Sequence, residues 1–451
     1  MTLRFGTDGV RGVANSELTA EFVTALGRAA GRVLGIDRPF VVGRDTRRSG
    51  PMLEAALVAG LCAEGADVVL TGVLPTPGVA QLARELAASA AVISASHNAY
   101  QDNGVKLFAP GGRKIPESLE ARVEHEVRVL SEAMPPPGAE GRGVGIASEH
   151  RGALDEYVAH LVDSLEGRRL DGIRVVLDCG NGAAFRSAPA ALRALGAEVE
   201  VLHVAPDGTN INDGCGSTHP ERLCEAVLGS GARVGLAFDG DADRVVAVDE
   251  RGEIVDGDQM LAIAAIDLHD RGLLHGSAVV ATIMSNLGLE RALDTYGIEL
   301  VRAPVGDRNV LDELERRDLV LGGEQSGHVI NTLHATTGDG TLTGILLIDT
   351  MTRRKRSLSE LAAVMVRAPQ LVRNVPMADP HSLNADHAFW DRVREVADEL
   401  GDGGRVLVRP SGTEPVVRVM VESIDADAAH EAADRLAKLV ENFAAGTAGR
   451  P

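Results

Sequence analysis

RPFVVGRDTRRSGPMLEAALVAGLCAEGADVVLTGVLPTPGVAQLARELAASAAVISAS, residues 38–96, sets the architecture. Its first segment, RPFVVGRD, is a short apolar run of the buried-strand type that ends in polar residues. Ser49, Gly50 and Pro51 follow, then the apolar-periodic MLEAALVAGLCAEG. Ser49 is placed to cap that helix, with Pro51 in its first turn and Gly65 closing it. ADVVLTGVLPTP gives a second strand and loop, GVAQLARELAAS a second helix and AAVISAS a third strand. This βαβαβ rhythm predicts a largely parallel or mixed sheet covered by helices.

The strand, polar turn, helix logic of 38–50 returns at 172–183 and again at 276–288. The Pro/Gly-rich MPPPGAEGRGVG, 134–145, reads as a loop between units. The end of the chain differs: RVLVRPSGTEPVVRVMVES reads as strand, loop, strand. Leu436, Leu439, Val440 and Phe443 then mark one face of a closing amphipathic helix. A chain of 451 residues exceeds one core. The expected class is α/β, with three similar mixed α/β domains and a smaller α+β C-terminal domain. The expected boundaries are 1–150, 151–253, 254–367 and 368–451.

Composition excludes several function classes. Lys and Arg number 45 against 65 Asp and Glu, a net charge of −20, which disfavours nucleic acid and anionic membranes. Aromatics are only 3%, too few for stacking platforms. No apolar run approaches the ~18 residues of a membrane span, and MTLRFGTDGVRG carries no apolar signal core. A cytoplasmic protein is expected. Cys62, Cys179, Cys215 and Cys224 show no C-x-x-C spacing and read as reduced and structural.

LAFDGDADRVVAVD, 236–249, is the densest chemical signal. Asp239, Asp241 and Asp243 stand at i, i+2 and i+4, which in an extended segment aims them to one side. Three converging carboxylates call for a cation, and hard oxygen ligands suit Mg²⁺ or, although no EF-hand pattern is present, Ca²⁺. In RPSGTEPVVRV, 409–419, Arg409 and Arg418 flank the small residues Ser411, Gly412 and Thr413, a cradle suited to phosphate. GGEQSGHVI, 322–330, offers Glu324, Ser326 and His328 for sugar hydroxyls or an amine. FGTDGVRG, VGDRN and GRDTRRSG are Gly-rich turns with arginine, ambiguous between turn and site.

ISASHN, 93–98, places Ser96 at a strand end beside His97. No G-x-S-x-G nucleophile elbow is present. A serine that exchanges a phosphoryl group would use both the metal site and the phosphate cradle. Phospho-Ser96 plus three aspartates would carry roughly −5 charge, against +2 from Mg²⁺. Lys106, His97, Arg244 and Arg11 are the candidate balancing cations.

Together these motifs resemble the α-D-phosphohexomutase superfamily, in its order and over essentially the whole chain. ISASHN is similar to its phosphoserine loop, DGDADR to its magnesium loop, GEQSGH to its sugar loop and RPSGTEP to its phosphate loop. The resemblance implies a four-domain, heart-shaped enzyme with a central cleft and one loop from each domain. It implies that Ser96 carries the phosphoryl group and, with Asp239, Asp241 and Asp243, binds Mg²⁺. Arg244 and His97 would hold the phosphorylated site, and Lys106 and His328 would move protons. Glu324 and Ser326 would bind sugar hydroxyls. Thr7, Arg11, Arg409, Ser411, Gly412, Thr413 and Arg418 would contact the phosphosugar.

FGTDGVRG and the glutamine in GEQSGH most resemble the bacterial branch acting on glucosamine phosphate, which feeds UDP-N-acetylglucosamine and peptidoglycan precursors. The implied reaction is reversible conversion of glucosamine 6-phosphate to glucosamine 1-phosphate through a 1,6-bisphosphate, with a hexosamine or hexose 1,6-bisphosphate as activator. The implied assembly is a monomer or homodimer. Two residues depart from the pattern: Ala99 stands where the family commonly has proline, and Asn309 where this branch often has an aromatic. The alternatives are the phosphomannomutase/phosphoglucomutase branch, a magnesium phosphatase with an aspartate nucleophile, and a non-catalytic phosphosugar sensor.

Overall fold

The computed structural model describes residues 5–6, 8–132, 138–410 and 415–447. Three of its sheets repeat one plan. In the first, Phe40–Arg44 lies between the parallel strands Val68–Val73 and Ser89–Ile93, and the latter pairs antiparallel with Asp102–Ala109. In the second, Arg174–Asp178 lies between Glu198–Leu202 and Val234–Phe238, and the latter pairs antiparallel with Val245–Asp249. In the third, Ala278–Thr282 lies between Glu299–Ala303 and Leu321–Gly323, and the latter pairs antiparallel with Val329–Asn331. The recurring segments at 38–50, 172–183 and 276–288 are thus the same structural piece.

This plan decides where the chemistry lies. ISASHN, DGDADR and GEQSGH each bridge the last parallel strand and its antiparallel neighbour. Polar residues collect there because the flanking strands are committed to the interior. Every residue of Ser89–Ile93 and of Val234–Phe238 is buried, as expected for strands covered on both faces. The first sheet grows to eight strands by adding Phe5–Gly6, Gly9–Val13, Arg113–Lys114 and Ala147–Glu149.

The helices follow local signals. Asp256 and Gln259 form a capping box for Gly257–Asp270. Asp339 caps Gly340–Arg354. Ser49 behaves otherwise than expected. It occupies the N-cap position of Gly50–Ala63 without a side-chain capping bond, and its hydroxyl accepts from Asn103 Nδ2 at 2.9 Å instead. Helices Ala20–Leu34 and Gly50–Ala63 cross at glycines, and a Cβ on Gly60 would stand 2.2 Å from the Thr24 carbonyl oxygen.

The chain forms two compact units, Met1–Met284 with Gly297–Val364, and Ser285–Tyr296 with Met365–Pro451. The second unit holds an antiparallel sheet ordered Gln370–Pro376, Val416–Ser423, Gly404–Pro410. Helices His387–Leu400 and Ala426–Thr447 cover it, with Leu436 and Val440 buried. Helix Leu287–Asp294 belongs to this unit, and Leu287 N–H donates to Glu422 at 3.0 Å. The four cysteines are unbridged. Among the described residues, no helix is long and apolar enough to cross a membrane.

Candidate active site

Phe238 and Val245 are the last paired residues of their ladder, so residues 239–244 must reverse the chain. Asp239, Asp241 and Asp243 therefore do not alternate along an extended segment, which corrects the expected geometry. Ala242 adopts φ +56°, and the turn, not strand alternation, brings the three carboxylates together. One oxygen from each lies within 4.8 Å of the others, and all three residues are buried. Burial first, and then the charges of Asp243 and Asp241, push the Asp239 carboxyl well above the usual range. Asp241 Oδ1 and Asp243 Oδ1 are buried without a hydrogen-bond partner. Three hard oxygen donors, two of them orphaned, fit a Mg²⁺ ion.

The first sheet delivers Ser96 to this cluster. Its hydroxyl donates to Asp239 Oδ2 at 2.6 Å and lies 3.3 Å from His97 Nδ1. Arg244 Nη1 is 3.3 Å from the same imidazole nitrogen. Burial and the nearby Arg244 and Arg11 hold the His97 imidazole below its ordinary pKa. Lys106 Nζ, 1% exposed, donates to Asp241 Oδ2 and Asp243 Oδ2, both at 2.8 Å. Burial opposes its charge, but the carboxylates of Asp241, Asp243 and Asp8 raise its pKa well above the lysine range. Arg11 pairs with Asp8.

Several residues of this network escaped the sequence. Lys114 bridges Asp8 of the first sheet and Asp307 near the third. Thr76 donates to Asp241 Oδ2 at 2.5 Å. Arg308, the arginine already singled out in VGDRN, makes a buried bidentate pair with Glu120, whose part carried no signal. Asp8 and Asp307 do lie in the Gly-rich turns FGTDGVRG and VGDRN, so a signal existed; Lys114 and Thr76 carried none.

His328 comes from the third sheet. Its Nδ1 is 3.7 Å from Asp243 Oδ1, and its Nε2 accepts from Gly338 N–H at 3.2 Å. In the neutral ring that bond uses the Nε2 lone pair and leaves the proton on Nδ1. Nε2 also lies 3.6 Å from Asp307 Oδ2. Although burial opposes charge, Asp243 and then Asp307 raise the His328 pKa above its ordinary value. Glu324 is half-buried and accepts from Gly306 N–H at 3.2 Å, while Ser326 is exposed. Ser96, His97, Lys106, Arg244, His328 and the triad therefore form one connected cluster.

Thr7, Ser411, Gly412 and Thr413 lie outside the described residues. In the second unit, Arg409 and Arg418 face each other across adjacent strands. Burial and then Arg418 lower the Arg409 pKa. Like charges directly opposite are destabilising, and an anion between them would relieve this.

A second group, Asp178, His203 and Cys215, also has metal-ligand chemistry. It is committed internally: Asp178 accepts from Gly180 N–H, Gly216 N–H and His203 Nδ1.

Four family models match in order. They are the phosphoglucomutase/phosphomannomutase alpha/beta/alpha domains I, II and III at residues 2–134, 155–252 and 256–368, and the C-terminal domain at 372–439. The chain is 52% identical over 446 residues to a phosphoglucosamine mutase of Streptomyces griseus, covering 97% of this chain and 98% of the relative. It is also 52% identical over 425 residues to one of Moorella thermoacetica, covering 93% and 95%. A crystal structure of a phosphoglucomutase/phosphomannomutase family protein from Burkholderia thailandensis matches with TM-score 0.81 and 26% identity, over 97% of both chains. The fold is also that of Aspergillus fumigatus N-acetylphosphoglucosamine mutase in complex with GlcNAc-6P and magnesium, with TM-score 0.70 and 17% identity over 98% and 96%.

Proposed function

The chain belongs to the phosphoglucomutase/phosphomannomutase family, and on that premise we propose that it interconverts glucosamine 6-phosphate and glucosamine 1-phosphate. The observation that carries the proposal is Ser96 Oγ held 2.6 Å from Asp239, beside the two orphaned aspartate oxygens. Names shared with relatives about half identical to it support the choice of amino sugar.

Asp239, Asp241 and Asp243, with the Ser96 phosphate, would hold Mg²⁺. The ion supplies neutralisation of charge on the transferring phosphoryl group. The P–Oγ bond of phospho-Ser96 breaks as a P–O bond forms to the free sugar hydroxyl. Lys106 and His328 are the candidates for moving protons: the hydroxyl proton would leave to the neutral His328 ring, and the Lys106 ammonium would donate as Ser96 Oγ takes up a proton on losing phosphorus. The resulting 1,6-bisphosphate turns over and returns its other phosphoryl group to Ser96 by the reverse step. His97 lies beside the serine oxygen and Arg244 beside His97, and both would stabilise the phosphate. Glu324 and Ser326 orient the sugar. In the second unit, Arg409, Ser411, Gly412, Thr413 and Arg418 would bind the phosphate that is not reacting; Thr7 and Arg11 would contact the phosphosugar, Arg11 also helping to balance the charge of phospho-Ser96. A hexosamine or hexose 1,6-bisphosphate would serve as activator. The division into 1–150, 151–253, 254–367 and 368–451 assigns one of the four loops to each part.

The test is kcat/KM for glucosamine 6-phosphate against glucose 1-phosphate and mannose 1-phosphate, with Mg²⁺ and a trace of bisphosphate. A preference of about tenfold or more for the amino sugar, one charge-assisted hydrogen bond's worth, is expected. A preference for a neutral sugar moves the enzyme to the other branch with the serine mechanism intact.

A further inference from the structure

We infer that Arg47 is the positioning residue for Ser96: its guanidinium gathers four main-chain carbonyls of the 96–102 loop and so aims the serine hydroxyl at the acidic cluster. The inference rests on the phosphoserine function proposed above. Arg47 belongs to GRDTRRSG, the strand-to-helix turn of the first repeat, and its side chain is fully buried. Nη2 donates to the carbonyls of Ser96 at 2.9 Å and Asn98 at 2.8 Å. Nη1 donates to those of Ala99 and of Asp102, the latter at 3.0 Å. Nε donates to Asp45 Oδ2 at 2.9 Å. A guanidinium has five N–H groups, and all five are used.

Asp45 does more than balance the charge. Its Oδ2 also accepts from Ser94 Oγ at 2.7 Å, and Ser94 Oγ accepts from Ser96 N–H at 2.9 Å. Ser96 is thus held on both sides of its main chain, at N–H through Ser94 and Asp45 and at C=O through Arg47. A turn that follows strand Glu198–Leu202 adds a hand: Asn212 Nδ2 donates to the carbonyls of Ser96 at 2.9 Å and Asn98 at 3.0 Å. These bonds hold Ser96 at φ +53°, which L-residues avoid unless the surroundings impose it. With the carbonyls drawn to the Arg47 side, the hydroxyl is left to meet Asp239. Ala99, which cannot restrain φ as proline would, has its carbonyl bound by Nη1.

A planar fork spanning four carbonyls is a task an ammonium cannot reproduce, although lysine would still neutralise Asp45. Arg47→Lys therefore separates charge from clasp. The double variant Asp45→Asn/Arg47→Met removes both charges and leaves no unpaired buried ion. Both are made in the full chain with Mg²⁺. The measurements are kcat, KM for the phosphosugar, the single-turnover rate of Ser96 phosphorylation by glucose 1,6-bisphosphate, and hydrogen exchange. The expected result is a fall of about 100-fold or more in kcat and in the single-turnover rate, as misplacement by an ångström can produce. KM should stay within a few fold. Exchange should quicken in the peptide carrying residues 94–103 and stay unchanged in strand Phe40–Arg44.

Variants that keep the phosphorylation rate overturn the inference. So does a rate loss accompanied by faster exchange throughout the first sheet, which would mark a merely structural role. A wild-type protein that never becomes phosphorylated on Ser96 would instead sink the proposed function, while the exchange comparison would still report on the clasp.

Discussion

Lys106→Met tests the electrostatics of the acidic cluster. The ammonium lies 2.8 Å from both Asp241 and Asp243 and 3.2 Å from Asp8. Methionine keeps a similar unbranched stem and removes the charge, leaving buried carboxylates facing one another. Removing one partner of a buried ion pair costs about 3–5 kcal/mol. Unfolding entropy near 2.1 cal/mol/K per residue gives roughly 0.7 kcal/mol/K for the larger unit. The variant should therefore melt about 4–7 °C below wild type in EDTA. Mg²⁺ should stabilise both proteins, by about 2.7 kcal/mol at a hundredfold excess over Kd. In wild type, however, the ion competes with Lys106 for the same two carboxylates. The Mg²⁺-induced rise in Tm should therefore be larger in the variant. Differential scanning calorimetry in EDTA and in saturating Mg²⁺ measures both quantities. An unchanged Tm in EDTA, or a Mg²⁺ shift no larger than that of wild type, refutes the reasoning.

Three further outcomes are expected. Asp339 is buried, caps Gly340–Arg354 through Leu342 N–H and accepts from the Tyr157 hydroxyl, and burial raises its pKa to about 6. The native state then binds this proton more tightly than the unfolded chain does. Stability from this group is fully present below about pH 4 and is lost as pH rises to about 6, by roughly 3 kcal/mol. Asp339→Asn should flatten that limb of a urea-midpoint profile, and parallel profiles would contradict the assignment. Gly60→Ala places a Cβ 2.2 Å from the Thr24 carbonyl oxygen; overpacking of this kind costs about 1–3 kcal/mol, and thermal melting checks it. Glu324→Gln should lower the preference for glucosamine over glucose phosphates by roughly 10- to 150-fold, read as a ratio of kcat/KM values; an unchanged ratio would move amino recognition elsewhere.

The order of strands and helices over 38–96, and the starts of the two later repeats, were legible because each carries its own signal. Buried parallel strands are continuous apolar runs, whereas the caps at Asp256 and Asp339 emerged only from the structure. The repeat was legible too, and it explains why ISASHN, DGDADR and GEQSGH fall on equivalent returns. What local pattern could not supply was the partner of each polar group. Ser49 looked like a cap until the sheet brought Asn103 beside it. The triad looked like one face of an extended strand until the antiparallel pairing at Val245 required a turn. Lys114 is one lysine in a short edge strand. Only sheet assembly sets it between Asp8 and Asp307, 106 and 193 residues away along the chain. Arg47 was visible in GRDTRRSG, but its four acceptors are main-chain carbonyls, which leave no mark on the sequence.

The central claim is that Ser96 carries the phosphoryl group. The most direct test is to incubate the protein with Mg²⁺ and glucose 1,6-bisphosphate labelled in its phosphates, and to map the label by peptide mass spectrometry. The account predicts one acid-stable phosphoryl group on the peptide containing Ser96, absent in Ser96→Ala and discharged by added glucosamine 6-phosphate. A hydroxylamine-labile label on the peptide containing Asp239, or a Ser96→Ala variant that turns over normally, would contradict it.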